Sequence, residues 1–172
     1  MPRFPKLTPS SAVSASRKLL GDLVVRHSHV GDMVSTMAHS PALLGGYLQL
    51  SRAMRRAKLD RKISELISIA VQSRQGCSLC LDSHIAAARA LGVSESAIEA
   101  ARQGTSPFPA IAAMIRLGVL VYREPSSITD AQIDELRAFG YSTREIADVV
   151  GVVSLNLLTG AFNLVAGLTP RD

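Results

Sequence analysis

DRKISELISIAVQSRQGCSLCLDSHIAAARALG, residues Asp60 to Gly92, is the stretch that sets the fold of this 172-residue chain. Asp60 can cap a helix, and Ile63, Leu66, Ile67, Ala70 and Val71 follow it at helical spacing. That helix runs to about Arg74. Gln75-Gly76 breaks it, and a second helix begins around Cys77 and stops at Gly92, a glycine placed as a C-terminal cap. Cys77, Cys80 and His84 then share one stripe, because residues three, four and seven apart lie on one helical face.

The same signals continue on both sides. A weak helical pattern spans Ala12 to about Ala38 and is interrupted near Gly31. Ser40-Pro41 opens a helix to about Ala57, with serine as cap and proline at the first helical position. Ser94 starts a short helix to about Arg102, and Thr105-Ser106-Pro107 opens another to about Arg123. Glu124-Pro125-Ser126-Ser127 reads as a turn. Thr129 with Gln132, and Ser142 with Glu145, each match a capping box. The last helix continues towards Val165. No strand-like alternation, internal repeat or low-complexity tract interrupts the series.

Composition agrees with an all-α fold. Hydrophobic residues make up 47% and aromatics 4%, with no Trp, so the core is built from Ala, Leu, Ile and Val. Such side chains suit closely packed helices better than a β-sandwich. Residues 12–172 are expected to form a single domain. Residues 1–11, with Pro2, Pro5 and Pro9, are expected to be a flexible N-terminal arm.

Charge and hydropathy narrow the function. The net charge of +5 is scattered, except for Arg52, Arg55, Arg56, Lys58, Arg61 and Lys62. That cluster could attract nucleic acid or an acidic partner, but it reads first as a solvated corner between two helices. Nucleic-acid binding is therefore not expected. Neither is a membrane span. The run from Ile146 to Leu168 comes closest, but it carries Asp148, Asn156 and Asn163 and contains Gly151 and Gly160, so it reads as a buried core helix. The N-terminus lacks the apolar segment of a signal peptide. A cytoplasmic location is expected, where two cysteines serve catalysis or metal binding better than a structural staple.

The chemistry centres on the chain's only two cysteines, Cys77 and Cys80. Unpaired N–H groups at a helix start favour an anion, so a thiol there ionises more readily. His84 follows Cys80 by one turn and can take its proton, and the thiolate is the form that attacks an O–O bond. Plainer readings exist for each residue: buried cysteines are commonly inert, and a lone histidine on an apolar stripe is commonly a core residue. Zinc is the rival chemistry, since CxxC plus histidine supplies three ligands. A fourth would have to come from His27, His29 or His39 by chain folding. No metal is expected. Glu65 lies on a polar stripe with Arg61, Ser68 and Gln72, and periodicity alone makes it a surface acid paired with Arg61 or Lys62. No Gly-rich dinucleotide fingerprint appears, so no bound NAD(P)H or flavin is expected.

Glu65, Cys77, Cys80 and His84 reproduce a Glu-x11-Cys-x2-Cys-x3-His arrangement. It resembles that of the alkylhydroperoxidase D-like (AhpD-like) proteins of the carboxymuconolactone decarboxylase superfamily. The similarity is strong from about Pro41 to Gly104 and looser through the last helix, where Ala161-Phe162-Asn163 resembles a terminal Asn-containing segment. The resemblance implies a compact all-α, AhpD-like multi-helix bundle, with the CxxC at the N-terminus of a core helix. It implies reduction of hydrogen or alkyl hydroperoxides through a dithiol/disulfide cycle. Cys80 would be the peroxidatic thiol, Cys77 the resolving thiol, and Glu65 with His84 a proton relay. The electron donor would be an external thiol, a lipoyl protein or a thioredoxin-like protein, and the chain would form trimers, hexamers or other homo-oligomers. The pattern departs at Leu79, where well-characterised peroxidases of the family carry a histidine, and the chain looks shorter than their two-repeat form. A redox-sensing or assembly module, and a decarboxylase or lactone enzyme, are the other function classes.

Overall fold

The structure, a computed structural model, describes residues 2–170. Met1, at the tip of the expected arm, and Arg171 and Asp172, at the end of the expected domain, lie outside the described residues. The elements are α1 (Ser14–His27), α2 (Asp32–Met37), α3 (Pro41–Met54), α4 (Arg61–Gln75), α5 (Ser78–Ala90), α6 (Glu95–Arg102), α7 (Pro109–Arg123), α8 (Asp130–Ala138) and α9 (Thr143–Ala166). A 3₁₀ turn at Pro125–Ser127 joins α7 to α8, and no strand occurs among the described residues.

α4 is the central strut. It packs against α5, α6, α7 and α9, and buries Ile63, Leu66, Ile67, Ser68, Ile69, Ala70, Val71 and Gln72. A helix covered on so many sides no longer divides into one apolar and one polar face. α7 comes close enough that a Cβ on Gly118 would overlap the Ile67 side chain. A second apolar cluster, built on Leu20, Met37 and Leu44, joins α1–α3 to Leu158 and Phe162 of α9. α9 has the length and composition of a membrane crossing. It packs on α3, α4 and α7 and buries Asn156 and Asn163, as a core helix does.

Local chemistry accounts for most helix ends. Ser40 accepts from the Leu43 amide, Asp60 from the amides of Lys62 and Ile63, and Ser94 from Ala97. Both capping boxes form. Two boundaries differ from expectation. α3 stops at Met54 rather than about Ala57, because Asp148 of α9 takes the amides of Lys58 and Leu59 at 2.6 and 3.1 Å and pulls the corner out of the helix. α7 starts at Pro109, not at Thr105–Pro107. Phe108 precedes a proline and is held extended (φ −97°, ψ 114°), so the helix begins one residue later. Within residues 2–11, the segment expected to be a flexible arm, Arg3 bonds to the end of α9. The Arg3 guanidinium donates to the carbonyls of Leu164 and Val165 at 2.7 and 3.0 Å, and its amide donates to Ala166 at 2.7 Å. Those carbonyls lie in the last turn of α9, at the negative end of the helix, so a cation is well placed there.

The Ser142 box gives a pH-dependent prediction. The Glu145 carboxyl is held below its ordinary value of 4.5, first by the Ser142 hydroxyl and then by the Ser142 amide. A carboxylate held low in the folded state stabilises the fold above its unfolded value, and loses that effect as pH falls through the folded value. Ser142→Ala should cost about 1 kcal/mol at pH 7. The gap from wild type, read from denaturant midpoints, should narrow as the pH is lowered below 4.5.

Candidate active site

Gly76 ends α4 with φ +79°, a left-handed conformation that glycine adopts without strain, and so turns the chain directly into Cys77. Cys77 is the N-cap of α5, and its sulfur accepts from the Cys80 amide at 3.3 Å. Cys80 lies in the first turn. The two are joined as a disulfide with a Cα–Cα separation of 5.3 Å. Both are buried, at 2% and 6% exposure. When that bond opens, the sulfurs lie beside the unpaired N–H groups of a helix start, where negative charge is favoured.

One turn further, His84 Nδ1 lies 2.7 Å from Oε2 of Glu65 on α4. The two side chains are only 29% and 19% exposed. Glu65 therefore does not act as the surface acid that periodicity alone suggests. Its stripe of Ser64, Glu65 and Ser68 lines a cavity together with Cys80 and His84, because α5 and α9 pack on either side of α4 and leave only its first turn on solvent. With Nδ1–H donated to the carboxylate, the imidazole keeps Nε2 for a second proton transfer.

The cavity has a volume of about 910 Å³. Cys80, Glu65 and His84 form part of its wall, while Met33, Tyr47, Met54, Val152 and Leu155 make much of the rest apolar. Leu79 also faces it, so the position that holds a histidine in the peroxidases resembled is apolar here. His29 lines the same cavity, and His39 Nε2 lies 2.9 Å from the Pro5 carbonyl. Among the described residues no group of three or more His, Cys, Asp or Glu side chains is arranged to hold a metal. The basic residues Arg52, Arg55, Arg56, Lys58, Arg61 and Lys62 are all exposed around the α3–α4 corner.

Three buried residues complete the site and were not among the expected site residues. Asn163 of α9 directs Nδ2 at Cys80 Sγ, 3.2 Å away, and at Cys77 Sγ, 4.0 Å away. Gln72 Nε2 donates to Asn156 at its backbone oxygen (3.0 Å) and at Oδ1 (2.9 Å), and Asn156 Nδ2 donates to Ser68 Oγ at 2.9 Å. A signal for them exists in the sequence. Asn156, Gly160 and Asn163 stand four and three apart, a polar and small-residue stripe on an otherwise apolar helix. Gly160 has to be small, since a Cβ there would overlap the Gln75 side-chain amide.

Residues 41–117, which carry Glu65, both cysteines and His84, match the carboxymuconolactone decarboxylase family. No curated protein sequence matches the chain. Among solved structures, a peroxidase-related protein of Ralstonia eutropha with the alkylhydroperoxidase AhpD core superposes with a TM-score of 0.83. It is 18% identical over 99% of this chain and 93% of its own. A peroxidase-related protein of Silicibacter gives 0.75, at 20% identity over 91% and 85% of the two chains. The debrominase Bmp8, solved in complex with 2,3,4-tribromopyrrole, gives 0.73, at 18% identity over 99% and 91%. At these identities the likeness establishes the fold, an AhpD-like helical bundle.

Proposed function

We propose, for a chain whose site-bearing segment belongs to the carboxymuconolactone decarboxylase family, a thiol-dependent oxidoreductase that reduces hydrogen or alkyl hydroperoxides through a dithiol/disulfide cycle of Cys77 and Cys80. One observation carries this reading. The two sulfurs are already bonded, and Cys80 shares the wall of a cavity large enough for an organic substrate with a carboxylate–imidazole pair.

In this reading the reduced Cys80 gives its proton to His84, whose imidazolium is held by Glu65. The thiolate attacks one peroxide oxygen, so an S–O bond forms as the O–O bond breaks. The departing alkoxide or hydroxide takes the proton from His84 and leaves as alcohol or water. The Cys77 thiol then displaces the hydroxyl of the Cys80 sulfenic acid, which forms the disulfide and releases water. An external dithiol restores both thiols and is itself oxidised to a disulfide. The donor is a small thiol, a lipoyl protein or a thioredoxin-like protein, and no bound cofactor enters the cycle. The cycle needs a thiol-reducing compartment, which the cytoplasm supplies. Association of identical subunits belongs to the same proposal. Ala147, Val150, Ser154, Leu157, Ala161 and Leu164 are all exposed on α9 and recur at alternating spacings of three and four, the pattern of a helix seam.

A second reading draws on the debrominase likeness and on the mostly apolar cavity beside Cys80. The same dithiol could reduce a halogenated aromatic ring, converting C–Br to C–H with release of HBr as the disulfide forms. A peroxide-consumption assay with dihydrolipoamide, dithiothreitol or thioredoxin as donor tests the main reading. Repeated turnover with at least one donor is expected. A single stoichiometric oxidation without turnover would identify a redox sensor instead, and bromide release from a bromopyrrole without peroxide turnover would favour the second reading.

A further inference from the structure

We propose that Asn163 is a catalytic residue of the dithiol centre, whose side-chain N–H holds the sulfur of Cys80 as the disulfide opens. This rests on the dithiol reading above and adds a group from a third helix.

Asn163 is 3% exposed, and its Nδ2 lies 3.2 Å from Cys80 Sγ. Its Oδ1 is equally buried and has no hydrogen-bond partner among the described residues. An amide half satisfied inside an apolar helix is a cost to the fold, and a leucine there would avoid it. The orientation follows from the sulfurs, since turning the amide over would set its oxygen against sulfur lone pairs. Position 163 is also firmly placed. Asn156, seven residues earlier on the same stripe, is tied to Gln72 and Ser68 of α4. Gly160 between them lets α9 close on the Gln72 and Gln75 side chains.

The bond matters more after reduction than before it. A disulfide sulfur is a weak acceptor, whereas a thiolate is a full charge that accepts strongly. Two electrons from an external dithiol break the Cys77–Cys80 bond and leave a thiol on Cys77 and a thiolate on Cys80. The donor becomes a disulfide and its remaining proton goes to solvent. An N–H donor at Cys80 Sγ therefore favours the reduced, reactive state. The other titratable groups at this sulfur are Cys77 and His84 on the CxxC segment and Glu65 on α4. Lys6, His29, Asp32 and Tyr47 stand elsewhere on the cavity wall. All of them are kept in the test.

The test measures the rate of Cys80 alkylation by iodoacetamide against pH in reduced protein carrying Cys77→Ser, which leaves one thiol and keeps a hydroxyl at the helix cap. Adding Asn163→Asp, which replaces the donor with an acceptor of the same shape, or Asn163→Ala, should raise the alkylation midpoint by about one pH unit, a tenfold loss of thiolate at lower pH. In the reduced protein without an Asn163 substitution, the side-chain amide resonances of Asn163 should titrate through the same midpoint, a readout that does not depend on any variant folding. An unmoved midpoint in both variants overturns the proposal, as do amide resonances that stay flat. A shift in Asn163→Asp with none in Asn163→Ala also overturns it, because the new negative charge would then suffice. No readout here uses a peroxide, so failure of peroxide turnover would count against the proposed function and leave this result to stand on its own.

Discussion

Replacing Cys80 with serine should lower peroxide turnover on the order of a thousandfold or more, because a serine hydroxyl is not ionised near neutral pH and cannot replace a thiolate as nucleophile. The matched change at Cys77 should behave differently. Cys77→Ser keeps the attacking sulfur and removes only the resolving one, so one equivalent of peroxide should be consumed quickly and turnover should then stop. Mass spectrometry should find Cys80 as a sulfenic acid, or as a mixed disulfide with the added thiol. Serine caps a helix well, and position 77 is an N-cap, so the fold should survive this change. If Cys77→Ser yields no sulfenic acid or mixed disulfide at Cys80, or if Cys80→Ser retains turnover, the assignment of attacking and resolving sulfur fails.

The second large effect concerns the Glu65–His84 pair. Glu65→Gln keeps the size of the side chain and an acceptor for Nδ1 but removes the charge that stabilises an imidazolium. It should lower kcat/KM about a hundredfold, the scale of one positioned proton-transfer group. His84→Gln should cost a similar amount. If the two act as one relay across their 2.7 Å contact, the double variant should be little worse than either single one. Independent, multiplying losses would show two separate roles. An effect on thermal stability alone, with kcat/KM unchanged, would reduce the pair to a structural bridge between α4 and α5.

The parts of this protein that could be read from its residues share a physical character. A capping box closes within four residues, so Thr129 with Gln132 and Ser142 with Glu145 carry their own instructions. Asp60, Ser94 and Gly76 work over the same short range. The spacing of Cys77, Cys80 and His84 on one helix needs only helical geometry, and it led to a shared surface on the cavity for Cys80 and His84. Even here, competition between neighbours can mislead. Pro107 looked like a helix start, but Pro109 constrains Phe108 and decides the boundary.

Other features depend on which helix lies against which. Glu65 looks like a surface acid on its own helix, and meets His84 only because α5 covers that side of α4. Arg3 looks like part of a loose, proline-rich end, and meets the last carbonyls of α9 only once the chain has returned across more than 160 residues. Asn163 reaches Cys80 across a separation of 83 residues. The residues by themselves determined nearly all the helices, their caps and the placing of both cysteines and His84 on one short segment, because those features close within a turn or two of chain. Packing decided the rest: the carboxylate that holds His84, the amide that touches the sulfur, and the cavity in front of them. A periodic pattern marks what is buried, but a contact between distant helices exists only where the backbone brings the partners within hydrogen-bond reach.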